Sequence, residues 1–539
     1  MEKLLSIFGT MIVFTYHCFD RIVIHGYLSR LSRPEQIVCF FRQVLGIKAI
    51  TKEVLTKRTT EYHDWVEAYA LNHDIPVQWA EKGVRKEDYT KPWLNRMKQK
   101  QRFGVYFILK SMEQGSTFRA ATPKFKTADP EYHIIQKTRS RFTHYYFYIL
   151  DGILGAFVMR VSSFLPFKTT YYLNAHNFME QELIRQGISY RMHDNAFVST
   201  DYPQALQRIA DQLTPALIRK RLEYWTLILS PKFSVKERHA MNLHRYYFIS
   251  QVEFCSNLIF RRHFPIDRLF KRSCEMALAC ISADKISQFF GQRLTRCLKG
   301  KLHTTLDAIH HGHHVLRAYF KNSFVKQYEK LRTFLRIETC CNNLSDFHLK
   351  KALDHLPEVS QRFRSVNDRF AQLQAATFNV HVDFPLFQRL ALPISCGKSR
   401  IPGIKIQDTR MVRLMEVLLH GANQMQGFST AHLHTRILST FRLSAKQYSL
   451  TQLRYDLRKM KARGLILRMG NHYRYALSDK GINVCLLFIL FHKRVCGPLA
   501  NSLFNHRQLN PNIIHDRKLE KAYHQADRCI QKIIDLLAA

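Results

Sequence analysis

The sequence predicts an α+β protein that is mainly helical, with central antiparallel-sheet units and a separate helical domain near the C-terminus. Helical spacing of apolar residues recurs through much of the chain, which favours helices. Two stretches, within 142–200 and 325–341, are instead rich in aromatic and β-branched residues, as strands are. After residue 408, three helical patterns, a short strand pair and a fourth helical pattern follow one another.

The length and composition allow several folded domains. The chain has 539 residues, of which 46% are hydrophobic and 12% aromatic, so it can build several cores and is not a disordered tail. We expect five regions in chain order: a mixed, mainly helical and basic region (1–135), an α+β domain with two strand-rich segments (136–345), a helical connector and linker (346–403), the helical domain (404–497) and a C-terminal helix (498–539).

The charge balance is the strongest global signal. Lysine and arginine number 82 against 42 acidic residues, which gives a formal net charge of +40 and a pI near 9.9. Such a body repels itself unless counterions or a polyanion neutralise it, and nucleic acid is the commonest such partner. The alternatives are a basic protein without a polyanionic partner and a protein that sits on anionic lipid.

The apolar N-terminus is expected to be part of a core. Residues 4–16 are largely apolar, but the run is too short to span a membrane and charged residues come soon after it, so it is expected to be a buried strand or helix. We therefore expect no membrane span. Pro34 then starts a helix that carries apolar residues at helical spacing.

A basic segment with interleaved aromatic residues lies at residues 85–103. It holds seven basic residues against two acidic ones. Basic and aromatic side chains together can bind phosphates and stack on bases. A solvated helix face with a few side chains anchored in the core is an equally good interpretation of the pattern. The basic residues expected to contact nucleic acid are Lys98, Lys100 and Arg102. The interleaved aromatic residues are Tyr89, Trp93 and Phe103.

The central region begins with a predicted hairpin. Asp151-Gly152 separates two apolar runs, 142–150 and 153–162, and this dipeptide favours a tight turn because the turn needs positive φ. A third strand over 168–173 follows. A helix over 175–186 closed by Gly187, and then strand and turn over 188–198, complete a β-β-β-α-β order.

Residues 201–300 are predicted to be helical. The stretch 246–260 is hydrophobic on most faces, which predicts a buried central helix in which Glu253 needs a partner. Two strands follow around residues 329–332, helices return over 346–400, and the linker over 393–403 is the clearest domain boundary. A histidine-rich segment precedes the strands; its histidines include His310, His311, His313 and His314.

The C-terminal helical domain has the element order of a winged helix. Helices are predicted over 410–419, 431–438 and 450–463, then strands over 465–468 and 473–477, then a helix from Gly481 that Ser478 caps. In this arrangement the third helix lies in the major groove of DNA, and the hairpin reaches phosphates or an adjacent minor groove.

The third predicted helix supplies most of the candidate DNA contacts. Its apolar residues Leu453, Leu457 and Met460 are expected to pack on the first two helices, and its basic residues, Arg463 among them, to face outward. A winged helix that connects proteins is the alternative. The nucleic-acid-binding residues selected are Arg454, Arg458, Lys459 and Lys461 on the helix, and Arg468, Asn471, His472 and Arg474 on the hairpin.

Five short segments suggest a relationship to other proteins. They read NAHNF at 174–178, GISY at 187–190, DNAF at 194–197, KQYEK at 326–330 and LRIET at 335–339. They resemble segments of a large uncharacterised family of bacterial proteins with a C-terminal winged-helix (MarR-like) domain. The resemblance spans most of the chain. It implies a bacterial, cytoplasmic and nucleoid-associated protein with a DNA-binding C-terminal end, and it implies no catalytic residue.

The chain also allows two catalytic hypotheses. KQYEK followed by LRIE is similar to a piece of rolling-circle replication initiators, in which a tyrosine attacks the DNA phosphate and a metal held by histidines and acids polarises it. Here Tyr328 is the nucleophile, and Glu338 with some of the four histidines holds Mg²⁺ or Mn²⁺. The alternative is that Tyr328 and Glu338 pair across two strands.

The second catalytic hypothesis is a two-metal nuclease of ribonuclease-H-like topology in residues 142–200. It uses the acids Asp151, Glu182 and Asp194. However, Asp151 already has a role in a turn, and acids on helices usually face solvent. A binding protein is therefore favoured over an enzyme, as a regulator or as the DNA-recognition protein of a mobile element.

The twelve cysteines form no C-x-x-C pair and no zinc-finger or disulfide spacing, so they are predicted to be reduced core cysteines of a cytosolic protein. No metal site and no cofactor are expected, apart from Mg²⁺ or Mn²⁺ if the nuclease hypothesis holds. The expected partner is nucleic acid, double-stranded DNA in particular, and a homodimer is compatible with this prediction.

Overall fold

The protein is a mixed α/β structure with a large sheet. The computed structural model describes residues 1–81, 83–121, 134–269, 288–290, 304–309, 313–320, 322–331, 333–378, 384–396, 399–419, 427–469 and 474–493, and residues 525, 528 and 529. The chain divides into an N-terminal unit (residues 13–259 and 336–365) and a C-terminal unit (residues 1–12, 260–335 and 366–539). The five consecutive regions expected from the sequence stay a prediction.

The helices and strands are numbered in chain order. The helices are α1 (Glu2–Phe8), α2 (Pro34–Cys39), α3 (Lys52–Asn72), α4 (Lys86–Gln99), α5 (Ala175–Arg185), α6 (Pro203–Asp211), α7 (Pro215–Leu229), α8 (Val235–Ala240), α9 (Leu356–Phe378), α10 (Phe384–Ala391), α11 (Thr409–Leu418), α12 (Thr430–Phe441), α13 (Leu450–Ala462) and α14 (Asp479–Phe491). The strands are β1 (Ile12–Leu28), β2 (Val77–Trp79), β3 (Gly104–Ala121), β4 (Ile134–Asp151), β5 (Gly155–Ser162), β6 (Thr169–Leu173), β7 (Tyr190–Met192), β8 (Phe197–Thr200), β9 (Arg245–Phe260), β10 (Gln288–Phe290), β11 (Thr304–Ile309), β12 (His313–Phe320), β13 (Ser323–Lys330), β14 (Phe334–Cys341), β15 (Ile394–Cys396), β16 (Ser399–Ile401), β17 (Ile466–Arg468) and β18 (Tyr475–Leu477).

The N-terminal unit is built on a long sheet in the order β14-β9-β1-β6-β5-β4-β3-β2. Strands β3 and β4 pair antiparallel along almost their whole length, from Gly104 opposite Leu150 to Ala121 opposite Ile134. Strand β2, at the end of this order, runs parallel to β3. The expected antiparallel sheet is therefore present, but it is much larger than the sequence predicted.

The predicted hairpin at Asp151-Gly152 is confirmed, because β4 and β5 pair antiparallel with Asp151 opposite Gly155. Gly155 has a φ of +70°, and a Cβ there would lie 2.3 Å from the backbone oxygen of Asn177, so only glycine fits. The third strand and the following helix are confirmed as β6 and α5. Strands β7 and β8 form a separate two-stranded sheet, so the last strand of the β-β-β-α-β order does not join the main sheet.

The prediction of a buried helix over 246–260 is wrong, because this stretch is strand β9. Its last seven residues, 254–260, are all buried, so both faces of the strand are covered and the alternation typical of a half-exposed strand is absent. A run without alternation cannot be distinguished from a buried helix by periodicity alone. The first region contains the long strands β1 and β3 in addition to helices α1 to α4.

Helices that the sequence placed early in the chain are present. The helix that begins at Pro34 is α2, continued by a π-helical turn over Phe40–Val44, and it buries Ile37, Phe40 and Phe41 as their spacing predicted. The apolar N-terminus forms α1 and the start of β1. In the part of the chain that the structure describes, every helix is too short or too polar to cross a bilayer.

The C-terminal module, residues 404–497, follows the predicted element order within a few residues over its described part. Helices α11, α12 and α13 are followed by the antiparallel pair β17–β18 and by α14. One apolar core joins all of them; its buried residues include Leu414, Leu418, Leu433, Ile437, Leu453, Leu457, Met460, Ile466, Leu477 and Ile482. Asp408, Ser429, Ser449 and Ser478 cap these helices by accepting backbone N–H groups.

Some predicted features lie outside the described residues. They are His310, His311, Asn471, His472 and nearly all of the C-terminal segment 498–539. His313 and His314 begin strand β12, where they pair with Ile309 and Ala308 of β11.

Candidate functional site

Helix α13 is fixed in its rotation by a buried carboxylate. Asp456 is fully buried and forms an ion pair with Arg410 of α11 at 2.9 Å, and it accepts a hydrogen bond from the Tyr448 hydroxyl at 3.0 Å. Burial raises the pKa of Asp456, although Arg410 and Tyr448 partly oppose this. Together with buried Leu453, Asp456 holds one side of the helix against the module core.

The opposite side of α13 presents positive charge. Arg454, Arg458 and Lys461 are exposed, and their spacing of four and three residues places them on one helix face. Tyr455, beside them, is 42% exposed. This part of the outward-facing prediction is confirmed.

Two basic residues of the same helix do not face outward. Lys459 is buried, with its ammonium 4.0 Å from Asp456, 3.9 Å from Asp408 and 5.0 Å from the centre of the Tyr455 ring. Arg463 is also buried and donates to the backbone oxygen of Leu392 at 2.8 Å. The prediction that these two face outward is wrong, because both are buried and bound by internal acceptors.

The hairpin after α13 is anchored to the module by a third strand-like segment. Phe428 and Tyr475 exchange two backbone hydrogen bonds, of 2.7 and 3.0 Å, beside the β17–β18 pair. Arg468 is exposed and Arg474 is half-buried, and Leu467 between the helix and the tip is 57% exposed. The hairpin therefore carries exposed basic and apolar surface next to α13 in sequence.

The charge of the C-terminal module is strongly one-sided. Residues 404–497 hold 16 lysines and arginines against 4 acids, a net charge of +12. Glu416 pairs with Lys493 at 2.8 Å, Asp456 pairs with Arg410, and Asp408 caps α11. Because the acids neutralise internal groups, the exposed surface keeps the positive excess.

The basic segment of the N-terminal unit is mostly a packed helix face. Tyr89 and Trp93 of α4 pack against the cluster around Phe107 and Tyr148, so they do not offer free rings for base stacking. Lys98 forms an ion pair with Glu180 at 2.6 Å. Lys100, Arg102 and the exposed aromatic ring of Phe103 remain at the surface; Phe103 is 58% exposed.

Asp151, the candidate acid of the two-metal hypothesis, has a full set of partners in the fold. Its Oδ1 accepts the backbone N–H groups of Ile153 and Leu154, both at 2.8 Å. Its Oδ2 accepts from Arg221 at 2.6 Å and from the Trp225 indole at 2.7 Å. Burial opposes ionisation, but these four donors outweigh it and lower the pKa of Asp151. This geometry is that of a structural anchor for α7.

The other candidate catalytic residues lie on different elements of the fold. Glu182 binds Arg185 and Gln186 of its own helix, and Asp194 is exposed beside His193. Tyr328 lies on β13 in the C-terminal unit with Lys326 over its ring, whereas Glu338 is fully buried on β14 in the N-terminal unit. Among the described residues, the groups able to hold a metal include Glu338 but none of Asp151, Glu182 and Asp194.

The structure reveals a second polar constellation, which we call the polar face. It occupies alternate positions of β14, β9 and β1, which are neighbours in that order, and is covered by the first turn of α5. Its strand residues are Tyr16, Cys18 and Asp20 on β1, Glu253, Cys255 and Asn257 on β9, and Arg336, Glu338 and Cys340 on β14; α5 adds His176.

Arg336 and Asp20 organise one end of the polar face. Arg336 is fully buried and donates to Asn257 Oδ1 at 2.8 Å and to the backbone oxygen of Asn195 at 2.6 Å. Its Nη1 lies 3.4 Å from Asp20 Oδ1, which also accepts from the Asn195 side chain at 2.6 Å. The buried ion pair is thus supplied with hydrogen bonds, as buried charges require.

His176 lies between Asp20 and two cysteines. Its Nδ1 is 3.2 Å from Asp20 Oδ1, and its Nε2 is 3.4 Å from Cys18 Sγ. Burial lowers the pKa of His176, but hydrogen bonds to Asp20 and Cys255 outweigh it and raise the value. For Cys255, burial opposes ionisation, yet the Cys18 thiol, Arg336 and His176 lower its pKa well below the ordinary value, while burial raises that of Cys18.

Two groups of side chains on the polar face could bind a metal ion. Cys18, His176 and Cys255 place their donor atoms within 4.8 Å of one another, and so do Glu253, Glu338 and Cys340. Glu253 was expected to need a partner, and its Oε1 lies 3.8 Å from Arg21 Nη1. The first group was not predicted from the sequence. The one local indication of it is that polar residues occupy every second position of 16–20, 255–257 and 336–340.

Comparisons with models of known protein families, with curated protein sequences and with solved structures find no match to this chain.

Proposed function

We propose that the protein binds double-stranded DNA through the C-terminal module, which we interpret as a winged helix of the kind suggested by the resemblance to bacterial MarR-like proteins. The observation that carries this proposal is the exposed row Arg454, Arg458 and Lys461 on α13, opposite a fully packed apolar side. A helix of this kind, third in its module and followed by a hairpin, is the element that enters the major groove in winged-helix proteins.

Electrostatics supports the same proposal. The module has a net charge of +12 and uses most of its acids internally, so a polyanion gains counterion-release free energy by lying along α13. Exposed arginines on a helix suit bidentate contacts with guanine or with phosphate oxygens. Arg468 and Arg474 flank the hairpin tip and extend the positive surface beyond the helix. The corresponding role is regulation, or DNA recognition for a mobile element.

The test is a charge-reversal pair measured by fluorescence anisotropy with a labelled duplex. Each lost phosphate contact weakens binding about eightfold at 0.1 M salt, since the salt slope is about 0.9 per contact. Arg454→Glu with Arg458→Glu should therefore weaken binding about 60-fold or more and reduce the salt slope by about 2.

The matched control is Lys405→Glu with Lys480→Glu, which makes the same charge change at exposed positions of the same module outside α13. This control should weaken binding less than about threefold, because only long-range attraction changes. Equal losses in both double variants, or unchanged binding in the α13 variant, would remove α13 from the interface. Supercoiled DNA with Mg²⁺ in the same samples reports any strand scission, and a nicked product would contradict a role limited to binding.

A further inference from the structure

Three metal-binding atoms meet inside the N-terminal unit, independently of the DNA-binding proposal. Cys18 Sγ and Cys255 Sγ are 3.6 Å apart, and Cys18 Sγ is 3.4 Å from His176 Nε2. Cys18 and Cys255 come from neighbouring strands and His176 comes from the helix that covers them, and all three are buried. Two thiols and an imidazole in a closed site are the donor set that soft divalent ions prefer.

The spacing of these atoms matches one face of a zinc tetrahedron. With Zn–S bonds of about 2.3 Å and Zn–N bonds of about 2.05 Å, tetrahedral angles place two sulfurs about 3.8 Å apart and a sulfur and a nitrogen about 3.6 Å apart. The observed separations of 3.6 and 3.4 Å differ from these by about 0.2 Å. We propose that Cys18, His176 and Cys255 bind one zinc ion as a structural site, with the Tyr16 hydroxyl, 3.3 Å from His176 Nε2, placed for the fourth contact.

The surroundings of His176 suit a metal ligand. Its Nδ1 lies 3.2 Å from Asp20 Oδ1 and 3.0 Å from Asn174 Oδ1, so the proton is held there and Nε2 is the nitrogen available to a metal. Cys18 Sγ lies 3.4 Å from Nε2 and 3.7 Å from Nδ1. A carboxylate behind the ring of a metal-binding histidine is the usual way in which proteins fix its tautomer and orientation. Asp20 is itself fixed by the Asn195 side chain at 2.6 Å.

The charges also balance. Binding of Zn²⁺ displaces to solvent the protons that the two sulfurs still carry and leaves two thiolates. Two thiolates and the Asp20 carboxylate then oppose Zn²⁺ and the Arg336 guanidinium, so the buried group carries no net charge. Arg336 keeps its bonds to Asn257 and Asn195. Its Nη2 also lies 3.5 Å from His176 Nε2, and the Asn257 amide donates to Cys255 Sγ at 3.2 Å.

The competing chemistry for the same two sulfurs is a disulfide between Cys18 and Cys255. A disulfide requires an S–S distance of about 2.05 Å, and the thiols would have to approach by about 1.5 Å and lose two electrons to an oxidant. The structure has the two cysteines as free thiols. The two outcomes are separable by experiment because oxidised cysteines do not bind zinc.

The first experiment uses the unaltered full-length chain. Protein purified under reducing conditions without chelator is analysed for bound metal, and the zinc site is examined by X-ray absorption. The expected result is about one zinc per chain with two sulfur neighbours at about 2.3 Å and two nitrogen or oxygen neighbours. A shell of four sulfurs, a shell of oxygens alone, a reduced protein that takes up no zinc, or an isolated Cys18–Cys255 disulfide would overturn the proposal.

Variants then locate the site. Cys18→Ser, Cys255→Ser and His176→Gln should abolish binding of Co²⁺ followed by its visible spectrum, whereas Cys341→Ser, a buried cysteine on the opposite face of β14, should leave it unchanged. Because ligand variants can fail to fold, Asp20→Asn provides a milder test, with affinity expected to fall 10- to 100-fold. The same cobalt spectrum and affinity in Cys18→Ser and in Asp20→Asn would contradict the assignment.

Discussion

Helix α13 and the polar face place their charged side chains in opposite ways. On α13 the apolar residues are enclosed and the arginines Arg454 and Arg458 are exposed, so the helix carries its charge at the surface. On the polar face Arg336 and Asp20 are enclosed by strands and by α5, so the same kinds of side chain satisfy one another. The difference teaches that a lysine or arginine of this basic chain can be assigned to a binding surface only once its exposure and its partners are known.

The largest expected effect separates a buried arginine from an exposed one. Arg336→Met leaves Asp20 buried without its cation and should lower the free energy of unfolding by about 3–5 kcal/mol. Arg454→Met, at an exposed position, should change it by less than about 0.5 kcal/mol. The four tryptophans, Trp65, Trp79, Trp93 and Trp225, all lie in the N-terminal unit, so tryptophan fluorescence during urea unfolding measures the Arg336 variant. Arg454 lies in the C-terminal unit, so far-UV circular dichroism during urea unfolding measures the Arg454 variant.

Two results of this measurement would break the comparison. Unfolding of Arg336→Met at the same urea concentration as the unaltered protein would mean that the buried pair contributes nothing. In the reciprocal readout, Arg336→Met should retain DNA binding by the C-terminal module, while Arg454→Met should weaken it. Loss of DNA binding in the Arg336 variant at low temperature, where it is folded, would show that the two regions do not act separately.

The next effect is the pH dependence of the Asp151 anchor. Because the pKa of Asp151 is lowered in the folded state, its contribution is complete above its ordinary value of about 3.9 and is lost as the pH falls through the lower folded-state value. Asp151→Asn should reduce the free energy of unfolding by about 1.5–3 kcal/mol at pH 7. The difference between the two proteins should shrink below about pH 4. A difference that stays constant down to pH 3 would contradict this role.

A smaller effect compares two lysines of one helix. Lys461 is exposed and Lys459 is buried beside Asp456 and Asp408. Lys461→Ala should weaken duplex binding about eightfold at 0.1 M salt and lower the salt slope by about 1, whereas Lys459→Ala should keep the affinity within about twofold. Anisotropy titrations at several salt concentrations measure both quantities. A larger loss for the Lys459 variant, in a sample shown to be folded, would reverse the assigned orientation of α13.

The smallest effect concerns the basic segment of the N-terminal unit. Lys98→Ala should leave DNA affinity unchanged because Glu180 already neutralises this lysine. Lys100→Ala with Arg102→Ala removes two exposed charges and should weaken binding only if this surface touches the duplex. The same anisotropy assay applies, and a clear loss for Lys98→Ala would show that its pairing with Glu180 does not persist in solution.

The parts of the fold that depend on local signals could be predicted from the sequence. The Asp151-Gly152 turn, the cap at Ser449 and the apolar spacing of Leu453 and Leu457 each act within a few residues, and each is present. Strand β9 was mistaken for a helix because both of its faces are buried over residues 254–260. In such segments the pairing partner decides the structure, and the partner is not visible in a local pattern.

The site residues also divide into those that a local pattern predicts and those that depend on distant parts of the chain. Exposure of Arg454 and Lys461 followed from helical periodicity, but the burial of Lys459 did not, because it depends on Asp408, which lies 51 positions earlier in the sequence. The polar face depends on separations that are longer still: Cys18 and Cys255 are 237 positions apart, and His176 is 160 positions from Arg336. The alternating polar residues can be seen within each strand, but that they meet follows only from the order of β14, β9 and β1 in the sheet.

The most direct test of DNA binding by α13 is hydrogen–deuterium exchange of the full chain with and without a saturating duplex. Bound DNA should slow exchange across residues 450–468, which cover α13 and the first hairpin strand, while the strands of the polar face keep their rates. Unchanged exchange over 450–468 in the saturated complex, or equal slowing across every basic segment, would contradict recognition by this helix.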